Sequence, residues 1–446
     1  MTTITVAPVR DHGDTGDACP STDARWQGVP FGVASDIPIG LLGVGQVGSA
    51  VARLAAGHFE RARPTFRVTA GLVRDVTSRE RRTGAPLTTD PQTVFDSGPR
   101  AIVEALGGLE PARTLVLEAL ARGVPVVTAN KSLIAHHGDE LLEAATAVRV
   151  PLRYEATVIA GLPFLGTFAR RPLASKTSTA AIVGIVNGTT NFILSNMQHG
   201  GADFATALKR AQSLGFAEPD PSKDVDGVDA VEKLAILVRQ FVGISVPPDR
   251  IETVGIREIT AADLAHAADL GGTIKPVVYA RPDGPGVSAF AGPAFLPATH
   301  PLAGLRGACN GICLTDYAER ELCLTGPGAG PDVTAITILD DVIEAITEHV
   351  TVFTAARTGR AAQPATGWLL RVASPLALST IAEIGRVLAA HGAHVLRTSA
   401  RDGRNGGEVV WILTHAASRD AIERARAALS DLTGGATFAV RALGID

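Results

Sequence analysis

The chain has 446 residues, 46% hydrophobic and 19% charged. At roughly 150 residues per domain, that length suggests about three domains with sizeable cores. Its 41 basic and 45 acidic residues leave a net charge of −4, which excludes a global basic field for nucleic acid and an acidic disordered chain. No apolar run reaches about 18 residues, so no membrane span is expected. The opening MTTITVAPVRDHGDTGDACP lacks the basic stretch and apolar core of a secretory signal. Cys19, Cys309, Cys313 and Cys323 are too few for a disulfide scaffold, so reduced thiols in a cytoplasm are expected.

Residues 1–36 lack periodicity and read as a poorly ordered leader or surface arm. IPIGLLGVG (37–45) reads as a buried strand and a tight turn, and QVGSAVARLAAG (46–57) as a helix stopped by Gly57. Strands follow at 65–73, 100–108 and 124–130, with helices at 111–123 and 132–148. Such β-α-β alternation implies a parallel sheet covered on both faces. After Tyr154 the order becomes mixed, with helical stretches at 202–214 and 222–241 and strand-like segments at 276–280, 287–291 and 312–325. That is an α+β pattern. PDVTAITILDDVIEAITEHV (331–350) reads as a long helix that could close back on the first domain, and 351–366 as a linker. The final stretch, 367–446, alternates as βαββαβ, a ferredoxin-like unit with a GRNGG turn at 403–407.

Gly43, Gly45 and Gly48 form G-x-G-x-x-G at the first strand–helix junction. The first glycine allows the turn, the second admits a pyrophosphate to the backbone, and the third packs helix on strand. Free N–H groups at Gln46 and Val47 would then meet phosphate oxygens. The expected domain is therefore a Rossmann-type dinucleotide-binding unit. The second strand ends Val73-Arg74-Asp75. Arg74 could grip the 2′-phosphate of NADP and Asp75 the ribose of NAD, with NADP slightly favoured. Thr128, Asn130 and Lys131 end the fourth strand, where a doubly wound sheet binds its ligand.

GFAEPDPSKDVDGVDAVEKLAIL (215–237) crowds Glu218, Asp220, Asp224, Asp226, Asp229 and Glu232 around Lys223 and Lys233. Asp229 and Lys233 are i and i+4, so they share a helix face. The apolar run from Leu234 to Leu237 places Lys233 near a partly buried region. A lysine held between an acid and a cleft suits proton donation beside a hydride acceptor.

Together, IGLLGVGQVGSAV (39–51), VVTANKSLIA (126–135), YEATVIAGLPF (154–164), GIVNGTTNFIL (184–194), the 215–237 segment and GPGAG (326–330) closely resemble homoserine dehydrogenase. The resemblance implies a Rossmann domain at 37–153, completed by part of 326–350, and a substrate-binding and dimerisation domain at 154–350. It implies NAD(P)H-dependent reduction of aspartate 4-semialdehyde to homoserine, serving threonine, methionine and isoleucine synthesis, in a homodimer. It casts Lys233 as the acid/base lysine and Asp229 as its orienting partner. Glu218 becomes the carboxylate for the substrate's amino group, with Asp224 in the same polar wall. Lys131 becomes a second lysine beside the nicotinamide, and an electropositive pair suits an anionic transition state. Gly328 could let backbone approach the cofactor. Backbone carbonyls of Glu155, Val158, Ala160 and Leu162 would hold a sodium ion, a hard cation that takes oxygen ligands.

The C-terminal unit resembles an ACT domain, an amino-acid sensor. Its first loop, Ala373-Ser374-Pro375-Leu376-Ala377-Leu378, lacks the acid and glycine of the usual D-x-P-G-V-L-like pattern. Leu376 would hinder a ligand lying against the backbone. A structural or dimerising role, including a tetramer through this unit, therefore stands beside threonine sensing. Cys309, Cys313 and Cys323 read as structural thiols, His300 as a capping or core histidine, and His136-His137 as a partly exposed helix face.

Overall fold

The computed structural model describes residues 36–57, 65–76, 84–169, 179–347, 356–374, 380–402 and 408–445. The expected leader up to residue 35, the start of the linker (351–355), the ACT-type loop at 375–379 and the GRNGG turn lie outside them.

The first domain runs β1 (Asp36–Leu42), α1 (Gln46–Gly57), β2 (Thr65–Leu72), β3 (Leu87–Thr88), α2 (Pro91–Asp96), β4 (Ala101–Glu104), α3 (Ala112–Ala121), β5 (Val126–Thr128), α4 (Lys131–Val148) and β6 (Leu152–Arg153). Its six strands are parallel in the order β3-β2-β1-β4-β5-β6. The alternation of β1 sorts Ile37, Ile39 and Leu41 to one face, where they meet Val51 and Leu54 of α1. Leu42 points to the other face, packing with Val116, Leu120 and Leu133. Sequence reasoning missed α2, although Asp90 caps it by accepting from the Gln92 N–H and Pro91 opens it.

The second domain continues with α5 (Leu165–Ala169), β7 (Thr179–Ile185), α6 (Gly188–Gly200), α7 (Phe204–Ser213), α8 (Ser222–Val225) and α9 (Val228–Leu237). A π-turn over Val238–Val242 extends α9. Then come β8 (Ile244–Ser245), β9 (Glu252–Thr253), α10 (Ala261–Asp269), β10 (Gly272–Asp283), β11 (Gly286–Pro297), β12 (Cys309–Asp316), β13 (Glu321–Pro327) and α11 (Pro331–Thr347). Ala335, Ile338, Leu339 and Val342 of α11 join the core beneath α1, so this helix closes the first domain's sheet. The apolar run at 312–325 is not one strand: a reversal at 317–320 folds it into the antiparallel pair β12–β13. Thr260 and Asp263, spaced T-x-x-D, form a reciprocal capping box that starts α10.

The chain then forms β14 (Arg357–Thr358), β15 (Ala361–Ala362), β16 (Thr366–Ser374), α12 (Thr380–Ala390), β17 (Val395–Asp402), β18 (Glu408–Ala417), α13 (Arg419–Thr433) and β19 (Thr437–Ala442). The last unit has strand order β19-β16-β18-β17, and β19 also pairs in parallel with β11 through Ala294 and Phe295. One sheet therefore runs unbroken from the second domain into the C-terminal unit. The segment expected as a linker also contributes β14, paired with β8, and β15, paired with β11.

The expectation of reduced thiols is corrected at one place. Cys313 and Cys323 form a disulfide, because the β12–β13 register sets them directly opposite with Cα atoms 4.1 Å apart. Cys309 is a free, exposed cysteine. His300 accepts a hydrogen bond from the Leu302 N–H, a local capping role, and burial lowers its pKa.

Candidate active site at the carboxyl edge of the parallel sheet

β1 and β4 are neighbours although they are far apart in sequence order, so the sheet reverses between them. Such a switch point opens a crevice beyond the strand ends. A cavity of about 680 Å³ lies there, walled by Gly43–Gly45, Val73–Asp75 and Ala105–Gly107. Each glycine has its own reason. Gly43 adopts φ +99°, and a Cβ there would sit 2.6 Å from the Ala105 carbonyl oxygen. At Gly48 a Cβ would sit 2.0 Å from the Gly43 carbonyl oxygen. Nothing lies within 4 Å of a Cβ placed on Gly45, so that position faces open space. A tight turn, a helix seated against it and an open backbone beside exposed Gln46 and half-buried Val47 fit a pyrophosphate. Gly48→Ala is expected to raise the KM for nicotinamide nucleotide about tenfold or more, because the Gly43 carbonyl must give way by about an ångström or more. Initial rates against nucleotide concentration check it. Arg74 and Asp75 are both exposed and both line the cavity.

The loop after β4 is tied down by a residue that pattern reading missed. Glu104 is buried, accepting from the Leu106 N–H and from the hydroxyl of Thr128. Burial pushes its carboxyl up, against the lowering effect of those bonds. The Asn130 amide donates to the Gly108 carbonyl, while its Oδ1 caps α4 at the Leu133 N–H. Thr128 and Asn130 are thus spent on shaping the loop and starting the helix. They leave Lys131, the first residue of α4, at the rim.

Across from it, α9 brings the second lysine. Lys233 Nζ donates to Asp229 Oδ2 at 2.8 Å and to the Val186 carbonyl at 2.7 Å. Lys131 Nζ lies 3.2 Å from Asp229 Oδ1. One buried carboxylate therefore holds an ammonium from each domain. Burial alone would raise Asp229, but the two ammoniums and the hydrogen bonds from Lys233 and Asn187 override it and hold it at about 2. For Lys131, burial pulls down, but the charge and hydrogen bond of Asp229, joined by the charges of Glu232 and Asp224, together raise it.

Asn187, inside the NGTTN motif but assigned no role from sequence, completes the group. Its amide nitrogen donates to Asp224 Oδ1 at 2.7 Å and to Asp229 Oδ2 at 2.8 Å. Its Oδ1 caps α6 at the Thr190 N–H. Burial pushes Asp224 up, opposed by the Asn187 bond. Glu232 accepts from the Ser132 hydroxyl at 2.8 Å, joining α9 to α4 again. The structure thus brings together Lys131, Asp224, Asp229 and Lys233. Glu218 stands apart: it is exposed, and its carbonyl accepts from the Gln212 amide. Gly328 is buried against Asn310, where a Cβ would fall 2.2 Å from the amide, so packing explains that glycine.

The 155–162 turn is tight. Ile159 sits at φ 49°, an unusual conformation for a β-branched residue. The Glu155 carboxylate accepts the N–H groups of Phe164, Leu165 and Gly166. The Glu155 carbonyl accepts from the Val158 N–H, and that of Ala160 from the Thr337 hydroxyl. Each keeps a second lone pair, so the turn still offers oxygens of the kind a hard cation takes. Among the described residues no helix is long and apolar enough to cross a membrane.

Comparison with known proteins matches two family models: "Homoserine dehydrogenase, NAD binding domain" over residues 43–155 and "Homoserine dehydrogenase" over 163–343. A homoserine dehydrogenase of Synechocystis is 38% identical over 323 residues, 70% of this chain and 73% of that protein. A Thiobacillus denitrificans homoserine dehydrogenase structure superposes with a TM-score of 0.82 at 32% identity, covering 91% of this chain and 98% of its own. A hyperthermophilic archaeal homoserine dehydrogenase in complex with NADPH gives a TM-score of 0.58 at 29% identity, over 70% of this chain and 97% of its own.

Proposed function

The chain belongs to the homoserine dehydrogenase family, NAD(P)-dependent oxidoreductases acting on a CH–OH group, and on that premise we propose that it reversibly reduces L-aspartate 4-semialdehyde to L-homoserine. The observation carrying this reading is the pair of ammoniums, Lys131 and Lys233, on the single buried carboxylate of Asp229.

The nicotinamide, when bound, supplies or accepts the hydride. Lys233 holds the proton that an aldehyde oxygen needs as it becomes an alkoxide, and Asp229 together with the Val186 carbonyl fixes that ammonium's direction. Lys131 adds positive charge from the other domain, where negative charge develops on oxygen. Asp224 would form the polar wall of the substrate site, and Glu218, exposed and apart from the group around Asp229, would take the substrate's α-ammonium. The proposed setting is threonine, methionine and isoleucine synthesis in a cytoplasm. The enzyme would act as a homodimer paired through the second domain, with a tetramer through the ACT-like unit as the larger form. Carbonyls of Glu155, Val158, Ala160 and Leu162 would order their turn around a sodium ion.

Homoserine-dependent reduction of NADP and of NAD, read at the nicotinamide absorbance band, tests the function. No turnover with homoserine, but turnover with a near analogue, would replace the substrate. The NADPH complex of the archaeal relative and the exposed guanidinium of Arg74 both support NADP. Arg74→Ala is expected to raise the KM for NADP by about tenfold to a hundredfold while hardly moving that for NAD, the loss of one or two charge-assisted hydrogen bonds. Equal effects on both nucleotides would remove Arg74 from 2′-phosphate recognition.

A further inference from the structure

The two lysines sit on helices of different domains, α4 and α9, and their shared carboxylate works only if those helices keep one register. Four polar contacts line the seam. Lys131 meets Asp229, and Ser132 meets Glu232. His136 Nε2 lies 3.7 Å from Glu232. Farther along, Arg239 of the π-turn reaches back onto α4. Residues 229, 232 and 239 recur at spacings of three and seven, which keeps them on one helical face.

Arg239 is buried, with 6% of its surface exposed. Its Nε donates to Asp139 Oδ1 at 2.9 Å, Nη1 to the Ile134 carbonyl at 2.8 Å, and Nη2 to Ser245 Oγ at 3.1 Å. The Ser245 hydroxyl in turn donates to Asp139 Oδ2. Room for the guanidinium exists because residue 138 is glycine: a Cβ there would lie 2.6 Å from Nη1. A glycine inside a helix is ordinarily unfavourable. Here the empty side is filled by the arginine.

We infer that Arg239, seated in the notch at Gly138, is a positioning residue for catalysis: it locks α4 against α9 and so fixes the spacing of Lys131 and Lys233 about Asp229. This rests on the proposed roles of the two lysines. An error of about 1 Å between reacting groups can lower turnover on the order of a hundredfold, so a lock some two turns away has kinetic weight.

Gly138→Ala separates positioning from stability. Alanine favours the helix, yet its methyl must push the guanidinium off the Ile134 carbonyl. The expected result is a thermal midpoint moved by only a few degrees, as the helix gain offsets the lost bond, with kcat lowered about tenfold or more and the KM for homoserine within about twofold. In a Lys131→Met background the same substitution should add little, because the group it misplaces is already gone. Should Gly138→Ala lose stability as well, Arg239→Lys carries the same test, keeping a cation opposite Asp139 without the bonds to Ile134 and Ser245. Unchanged kcat in folded variants, or effects that multiply fully on Lys131→Met, would overturn the inference. Unchanged kcat in Lys131→Met alone would instead strike the underlying lysine-pair reading.

Discussion

Replacing Lys233 by alanine is expected to lower kcat by about 10²–10⁴ while leaving nucleotide affinity nearly unchanged, the usual loss when a positioned proton donor is removed. The nucleotide cradle is built from Gly43–Gly48 and the Ala105–Gly107 loop, none of which touches Lys233 among the contacts described. The substitution should therefore spare binding measured by nucleotide fluorescence titration. Asp229 keeps Lys131 and Asn187 as partners, so the carboxylate is not stranded in a buried site. Unaltered turnover would withdraw the proton-donor role. The acid side of the pH profile follows from the same group. The folded-state value of Asp229, about 2, lies below its ordinary 3.8. Its stabilisation is thus complete above the ordinary value and is lost progressively as pH falls from there through about 2. Turnover lost in mildly acidic solution must come from another group.

The site was legible in sequence wherever its logic is local. The glycine turn announces itself because Gly43, Gly45 and Gly48 fall within six residues at a strand–helix junction, with Gly48 seated directly on the Gly43 carbonyl. Asp229 and Lys233 announce themselves because four residues is one helical turn. What stayed hidden depends on contacts between distant segments. Asn187 reads as an ordinary helix cap until the fold brings Asp224 and Asp229 to its amide. Glu104 looks like the charged end of a strand until Thr128 and the Leu106 N–H bury it. The disulfide is hidden for the same reason: only the hairpin register shows that Cys313 faces Cys323. Glu218 marks the opposite limit. Its motif is conspicuous, yet its side chain stands in solvent, and its proposed role depends on what the substrate brings to it.

Glu252→Ala is expected to destabilise the whole chain by about 3–5 kcal/mol, the range for breaking a buried ion pair by removing one partner. The family models end at residue 343, short of the C-terminal unit, but that unit is no appendage. The side chain of Glu252 of β9 is almost fully buried and accepts from Arg419 of α13 and Arg441 of β19. Arg441 is buried too, donates to the Pro364 carbonyl, and lies over the Phe290 and Trp368 rings. Burial pulls its guanidinium down, and the bond to Glu252 opposes that. Without the carboxylate, a buried cation would lose its counter-charge where β11 and β19 join. Apolar packing crosses the same boundary: Ile193, Leu194 and Phe295 share a core with Leu369, Trp411 and Val440. A weakened junction should therefore not release an intact catalytic half. Thermal unfolding should fall by on the order of 10 °C in one transition, followed by fluorescence and by loss of turnover together. Two separated transitions, with turnover surviving the first, would mean that the unit is only tethered. One coincident transition would mean that the segment Glu252–Glu258 is held from both sides. Gly255 packs on the Val225 carbonyl, and Ile256 donates its N–H to that same oxygen. Val225 adjoins Asp224 and lies four residues before Asp229, so the Glu252 junction and the acids beside the lysines are joined by one short run of hydrogen-bonded backbone.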